Sequence, residues 1–150
     1  PHDRWAAVVG ELARVTRPGG WVESLEVIPL EGGGPAVNQL MVWLIAVLAA
    51  RGVEFADGGK VGSRMQEAGL ARVTVRTLMM PCGDWGGRIG KMLAVDWISV
   101  LSALGGRMVA RGITSAAQLD QVFAAARMEL ADPAIRCVMP TYIAYGQRES

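Results

Sequence analysis

Two carboxylates stand inside otherwise apolar stretches, and they are the first candidates for chemistry. Glu26 lies toward the C-terminal end of WVESLEVI, residues 21–28. Asp96 lies in a helical pattern whose apolar stripe is Ile89, Met92, Leu93, Trp97, Val100, Leu101 and Leu104. It falls two helical turns after Ile89, and so on that same stripe. Burying even a neutral polar group without a partner costs roughly 2–7 kcal/mol. Asp96 is therefore expected either to have a donor or to face a cavity, where it accepts hydrogen bonds or a proton from a bound molecule. Glu26 is open to a similar reading, because ligands of open α/β sheets sit outside the C-terminal ends of strands. The alternative is a strand-end carboxylate wetted by solvent.

The segment PCGDWGGRIG, residues 81–90, sets an exposed-looking Trp85 beside Asp84 among four glycines, just before that helix. Trp43 sits in a helix, 36–51, that is apolar nearly all round and must be covered on most sides, by the core, another subunit or an apolar ligand. The strand–glycine–helix stretch PLEGGGPAVNQL invites comparison with a phosphate cradle. It has no Lys-Ser/Thr after the glycines and no G-x-G-x-x-G spacing, so Gly32–Gly34 reads as a flexible connector. A single histidine, His2, excludes any site needing two imidazoles, and Cys82 and Cys137 lack metal-ligand spacing. No metal is expected, and both thiols read as structural.

Composition narrows the partners. The chain has 150 residues, 51% hydrophobic and 19% charged, with formal charge +1 and no Lys/Arg run. Nucleic acid and anionic membrane are poor candidates. The longest unbroken apolar run, Leu40 to Ala50, falls short of the ~20 residues that span a bilayer. With no charged-then-apolar leader, a soluble, cytoplasmic protein is expected.

The elements that must position these residues follow from periodicity. A first helix carries Trp5, Val8, Val9, Leu12 and Val15 on one face, with Asp3 able to cap it, and stops at Pro18-Gly19-Gly20. Residues 21–28 then read as a strand apolar on both faces, as in a parallel sheet covered by helices. After the helix over 36–51 comes a short one at 60–68. LARVTVRTLMM alternates as a strand with one wet face. The Asp96 helix is expected to kink or break at Gly105-Gly106. A last helix starts at a Ser115/Gln118 capping box and stops near Asp132-Pro133. Pro140 interrupts the final strand, so Thr141–Gly146 is its expected paired part.

In this order, ELARVTRPGGW resembles the helix and Pro-Gly-Gly ending that precede the fifth strand of class I S-adenosylmethionine-dependent methyltransferases. Glu11, Leu12, Arg14, Val15, Pro18, Gly19, Gly20 and Trp21 carry the match. MQEAGLARVTV is similar to the family's approach to its sixth strand, and TYIAYGQR to its terminal strand. PCGDWGGRIG with the helix after it resembles the insertion that roofs the pocket of small-molecule methyltransferases. The resemblance implies an α/β fold: the C-terminal part of a Rossmann-like seven-stranded sheet, strands five, six and seven. The seventh would run antiparallel between the other two, with a helical insertion at about residues 87–132.

By that resemblance, residues 1–150 form the C-terminal half of one methyltransferase domain. The complete enzyme would transfer a methyl group from S-adenosylmethionine to a small-molecule acceptor. The family's glycine-rich turn after strand one and its ribose-binding acid have no counterpart here, so most of the cofactor site is expected in a preceding N-terminal half. The isolated chain is then inactive. Asp96 and Glu26 become candidates for the general base or for acceptor orientation, Trp85, Asp84 and Trp43 for the acceptor pocket, and His2 for the border of the cofactor. The fifth strand would present an apolar edge, so the chain should pair with its N-terminal half or with a second copy as a homodimer. A rival reading is a non-catalytic methyltransferase-like interaction or oligomerisation module.

Overall fold

The computed structural model describes residues 2–53, 55 and 60–149, apart from the side chains of His2 and Asp3. Among them the elements are α1 (His2–Val15), β1 (Trp21–Val27), α2 (Pro35–Ala49), α3 (Val61–Glu67), β2 (Leu70–Pro81), α4 (Gly87–Ala110), α5 (Ala116–Ala131) and β3 (Val138–Arg148). Among the described residues the chain is α/β, with five α-helices and a three-stranded antiparallel sheet ordered β1-β3-β2. The last strand in sequence is thus the middle one in space. It pairs with β1 from Trp21 opposite Gln147 to Val27 opposite Thr141, which leaves β1 at an edge.

Two compact units divide the chain: Pro1–Ile28, Phe55–Leu78 and Thr141–Ser150 form a sheet unit, and Pro29–Glu54 with Met79–Pro140 a helical unit. In the sheet unit, Val9 and Ala13 of α1 and Val61 and Met65 of α3 pack with Val22, Leu70 and Ala144 of the strands, beside Trp5 and Val73. Only part of the expected α1 stripe is buried. Val8, Leu12 and Val15 are exposed, because Ala13 completes the inward row instead. The first helical residue is His2, so Asp3 lies inside the first turn and not at the cap position.

β1 also departs from expectation. One face buries Val22, while Trp21 and Leu25 on the other are 52% and 57% exposed, so helices cover a single face. Trp21 leans on Tyr145 with ring centroids 5.9 Å apart. In β2, Arg72 adopts φ 52°. This inserts an extra residue into the alternation, so that Leu70 and Val73 both reach the space over Gly146.

The turn after α1 is held from the far end of the chain. Gly19, at φ 74°, donates its N–H to the Arg148 carbonyl at 2.7 Å, and Arg148 N–H returns to the Gly20 carbonyl at 2.9 Å. The Arg148 guanidinium donates from Nη1 to the carbonyls of Ala13 at 3.2 Å, Thr16 at 2.6 Å, and Arg14. These are the unsatisfied carbonyls of the helix end. Arg14, in the last turn of α1, is paired with Glu11 at 2.6 Å on the surface.

In the helical unit, α2 packs against both α4 and α5. It buries Leu40, Met41, Trp43, Leu44 and Val47 and leaves Val42 and Ile45 as its large exposed apolar side chains. Gly32–Gly34 is a packed turn and not a flexible connector. Glu31 pairs with Val138, and a Cβ on Gly34 would stand 2.3 Å from the Glu129 carboxyl carbon. Helix α4 runs unbroken through Gly105-Gly106. Gly105 is there for contact: a Cβ would meet Leu119 of α5 at 2.8 Å. The Ser115/Gln118 capping box opens α5 as the sequence indicates. Pro140 lies within β3 without ending it, and the pairing with β1 begins one residue later at Thr141.

Candidate functional site

The loop between β2 and α4 is built by close backbone approaches. Cys82 N–H donates to the Cys137 carbonyl at 2.9 Å, and Gly83 N–H to the Gly90 carbonyl at 2.9 Å. Gly83 has φ 116°, and a Cβ on it would lie 2.7 Å from the Leu130 carbonyl oxygen. Only glycine fits there. A Cβ on Gly90 would come within 2.2 Å of the Gly83 oxygen, so the start of α4 presses directly on the loop.

Between these glycines Asp84, Trp85 and Gly86 form a single 3-10 turn. Asp84 pairs with Lys91 Nζ at 3.0 Å, one turn into α4. Trp85 is half-buried and held, not displayed. Its Nε1–H donates to the Cys137 carbonyl at 2.8 Å, and the Arg136 guanidinium stacks 5.2 Å over its ring. The expectation of an exposed Trp85 is corrected: one ring face is already taken by a cation. Cys82 and Cys137 are fully buried free thiols beneath this turn. Their mutual hydrogen bond, and then burial, push the Cys82 thiol above its ordinary range.

Helix α4 then turns one apolar side inward and another outward. Gly90, Trp97, Leu101, Gly105 and Met108 are buried, with Trp97 Nε1–H directed at Met139 Sδ at 3.1 Å. Ile89, Met92 and Val95 are 61–68% exposed. Asp96 therefore does not share the buried stripe, as its spacing from Ile89 suggests. It is exposed and lines an open cavity of about 720 Å³ with Met80, Ile89, Lys91, Met92, Leu93, Val95 and Ser99. Among the described residues no hydrogen bond or ion pair engages its carboxylate. A neighbouring open cavity of about 410 Å³ is lined by Asp84, Lys91, Val95, Ser99, Arg127 and Leu130, among others.

The structure thus brings Asp84 and Asp96 to adjoining cavities along one helix, with Lys91 shared between them. Lys91 and Arg127 are the charged groups that sequence reasoning missed. The available signal was the seven-residue spacing from Asp84 to Lys91 across a glycine-rich turn, which places a cation back beside the loop. Trp43 is only 9% exposed, and its ring serves the core of α2. Glu26 belongs to the sheet unit, where it is half-buried on β1 and accepts from Ser24 Oγ at 2.7 Å. His2 lies in α1 by its backbone, and its side chain falls outside the described residues.

Chemically, Asp96 offers a free carboxylate at the rim of an apolar cavity, suited to accept a hydrogen bond or proton from a hydroxyl or amine. Lys91, paired with Asp84, is a second charged group lining the same cavity. Among the described residues no three His, Cys, Asp or Glu side chains gather as a metal site. The turn at Gly32–Gly34 is closed to phosphate: the Ala36 and Val37 N–H groups at the start of α2 donate to Glu129 at 2.9 and 2.8 Å. Compared with known proteins, the chain matches no protein-family model and no curated protein.

Proposed function

We propose that this chain is the C-terminal portion of an S-adenosylmethionine-dependent methyltransferase acting on a small-molecule acceptor. The observation that carries the reading is the strand order β1-β3-β2, in which the last strand runs antiparallel between two earlier ones. That order follows a helix ending in Pro18-Gly19-Gly20, the segment on which the resemblance rests. Unsatisfied apolar surface supports it further. Val8, Leu12, Val15, Trp21 and Leu25 are 41–60% exposed, and β1 has a free edge, which is the surface that a preceding half of the sheet would cover.

The residues present do not fit the cofactor by themselves. The one glycine-rich strand-to-helix turn has its first helix N–H groups occupied by Glu129, so the cofactor grip is assigned to polypeptide preceding Pro1. The contribution of this chain is to the acceptor. The open cavity along α4 binds its apolar body, and Asp96 orients its nucleophilic hydroxyl or amine and takes up the proton. Glu26 is kept as the second carboxylate candidate, and Trp85 as a rigid part of the loop that carries Asp84.

The outward apolar side of α4 favours a second reading, a methyltransferase-like module that binds a partner and does no chemistry. Transfer of a labelled methyl group separates the two. The full product of the reading frame containing residues 1–150 should methylate members of a panel of aromatic hydroxyls and amines. Asp96→Asn should lower turnover by roughly 10²–10⁴-fold if Asp96 is the base. A folded product that transfers no label to any acceptor, and does not bind the donor, supports the module instead.

A further inference from the structure

The outward side of α4 has an order that a ligand wall does not require. Met92, Val95, Ser99 and Ser102 succeed one another at spacings of three, four and three, and all four are exposed. That is the a/d spacing of a two-helix seam. Lys91 and Asp96 flank this seam on opposite sides, five residues apart. In two parallel helices packed along such a seam, a residue at the first flank of one helix meets the residue five positions later on the other. Lys91 of each copy then meets Asp96 of the other, twice over by symmetry. The Asp96 carboxylate has no partner among the described residues, and Lys91 has donors to spare beyond Asp84.

We infer that the outward face of α4 is an interface between two copies of this chain, paired in parallel with Lys91 of one copy against Asp96 of the other. Met92 and Val95 supply the apolar layers, and the serines beyond them allow close approach. A bilayer is the competing occupant. The stretch Asp84–Ala110 is long and apolar enough to cross a membrane. Lys91 and Asp96 on the outward side oppose that occupant, since charges facing lipid are costly, whereas a second copy pairs both. The partner copy would fill the open cavity beside Asp96 and place its own Lys91 there, so this dimer is the acceptor-free form and excludes an acceptor bound at Asp96. The inference does not depend on methyl transfer, because it is read from oligomeric state.

Sedimentation velocity of the purified chain across a concentration series, at low and high salt, tests it. The wild type should dimerise. Asp96→Lys and Lys91→Glu should each weaken the dimer on the order of tenfold or more, and the double reversal should restore it. Met92→Lys, at a position 63% exposed, should weaken it without changing the melting temperature. A folded monomer throughout the series overturns the inference. So does a dimer indifferent to the single reversals, which would put the interface elsewhere. Co-flotation of the wild type with phosphatidylcholine vesicles, in place of dimerisation, overturns it in favour of the bilayer.

Discussion

Arg148, at the end of β3, donates its guanidinium Nη1–H to the Thr16 carbonyl at the end of α1, 2.6 Å away and 132 residues earlier in the chain. With the Gly19 and Gly20 backbone bonds, it fastens the Pro-Gly-Gly turn to the terminal strand. Hydrogen bonds to charged groups contribute about 1.5–3 kcal/mol. Arg148→Ala should therefore lower unfolding free energy by about that amount, and Arg148→Lys should recover part of it. Urea denaturation checks this; an unchanged midpoint for Arg148→Ala would remove Arg148 as the cap.

Glu129 does the same work in the helical unit, where its two oxygens take the first free N–H groups of α2. Glu129→Ala should destabilise by about 1–3 kcal/mol, since it leaves two part-buried donors without partners. Gly34→Ala should destabilise as well, because the new methyl group would displace the carboxylate. The two effects should fall short of additive, as both break one contact. Fully additive losses in a double-mutant cycle would contradict the shared cause.

The adjacent glycines of α4 should behave oppositely. A Cβ on Gly106 would have nothing within 4 Å, so Gly106→Ala should stabilise the helix by about 0.5–1 kcal/mol. Gly105→Val should destabilise, because a Cβ there would lie 2.8 Å from Leu119. Thermal melts of the two variants should move in opposite directions.

The buried thiol pair gives a pH dependence. The hydrogen bond with Cys137, and then burial, hold Cys82 in its protonated form above the ordinary value of 9.0. The unfolded chain releases that proton near the ordinary value while the folded chain retains it. The contribution is thus complete below about pH 9 and declines as pH rises beyond it. The same hydrogen bond lowers Cys137, so the folded pair keeps one proton, and denaturation midpoints measured upward from pH 9 should fall more steeply for the wild type than for the Cys82→Ala/Cys137→Ala double variant. Equal slopes would contradict the assignment.

Local signals in the sequence were sufficient for the Ser115/Gln118 cap and the Pro-Gly-Gly stop, because each is decided within one turn of chain. The inward side of α4 was not legible from apolar spacing, since Met92 and Val95 are as apolar as Leu101 and Met108. Gly90 and Gly105 did mark the close-packed side, and with Trp97 they could have shown that Asp96 looks outward. Arg72 shifts the β2 alternation through a backbone angle that side-chain pattern does not encode. Arg148 and Glu129 act on helix ends 132 and about 93 residues away, beyond the reach of any local motif.

The central claim, that residues 1–150 contribute acceptor contacts while polypeptide before Pro1 grips the donor, is tested most directly by equilibrium binding of labelled S-adenosylmethionine. The full product of the reading frame and the 150-residue chain would be titrated side by side. Saturable binding is expected for the full product and none of comparable affinity for residues 1–150. Binding of equal strength by both, or by neither when each is folded, would contradict it.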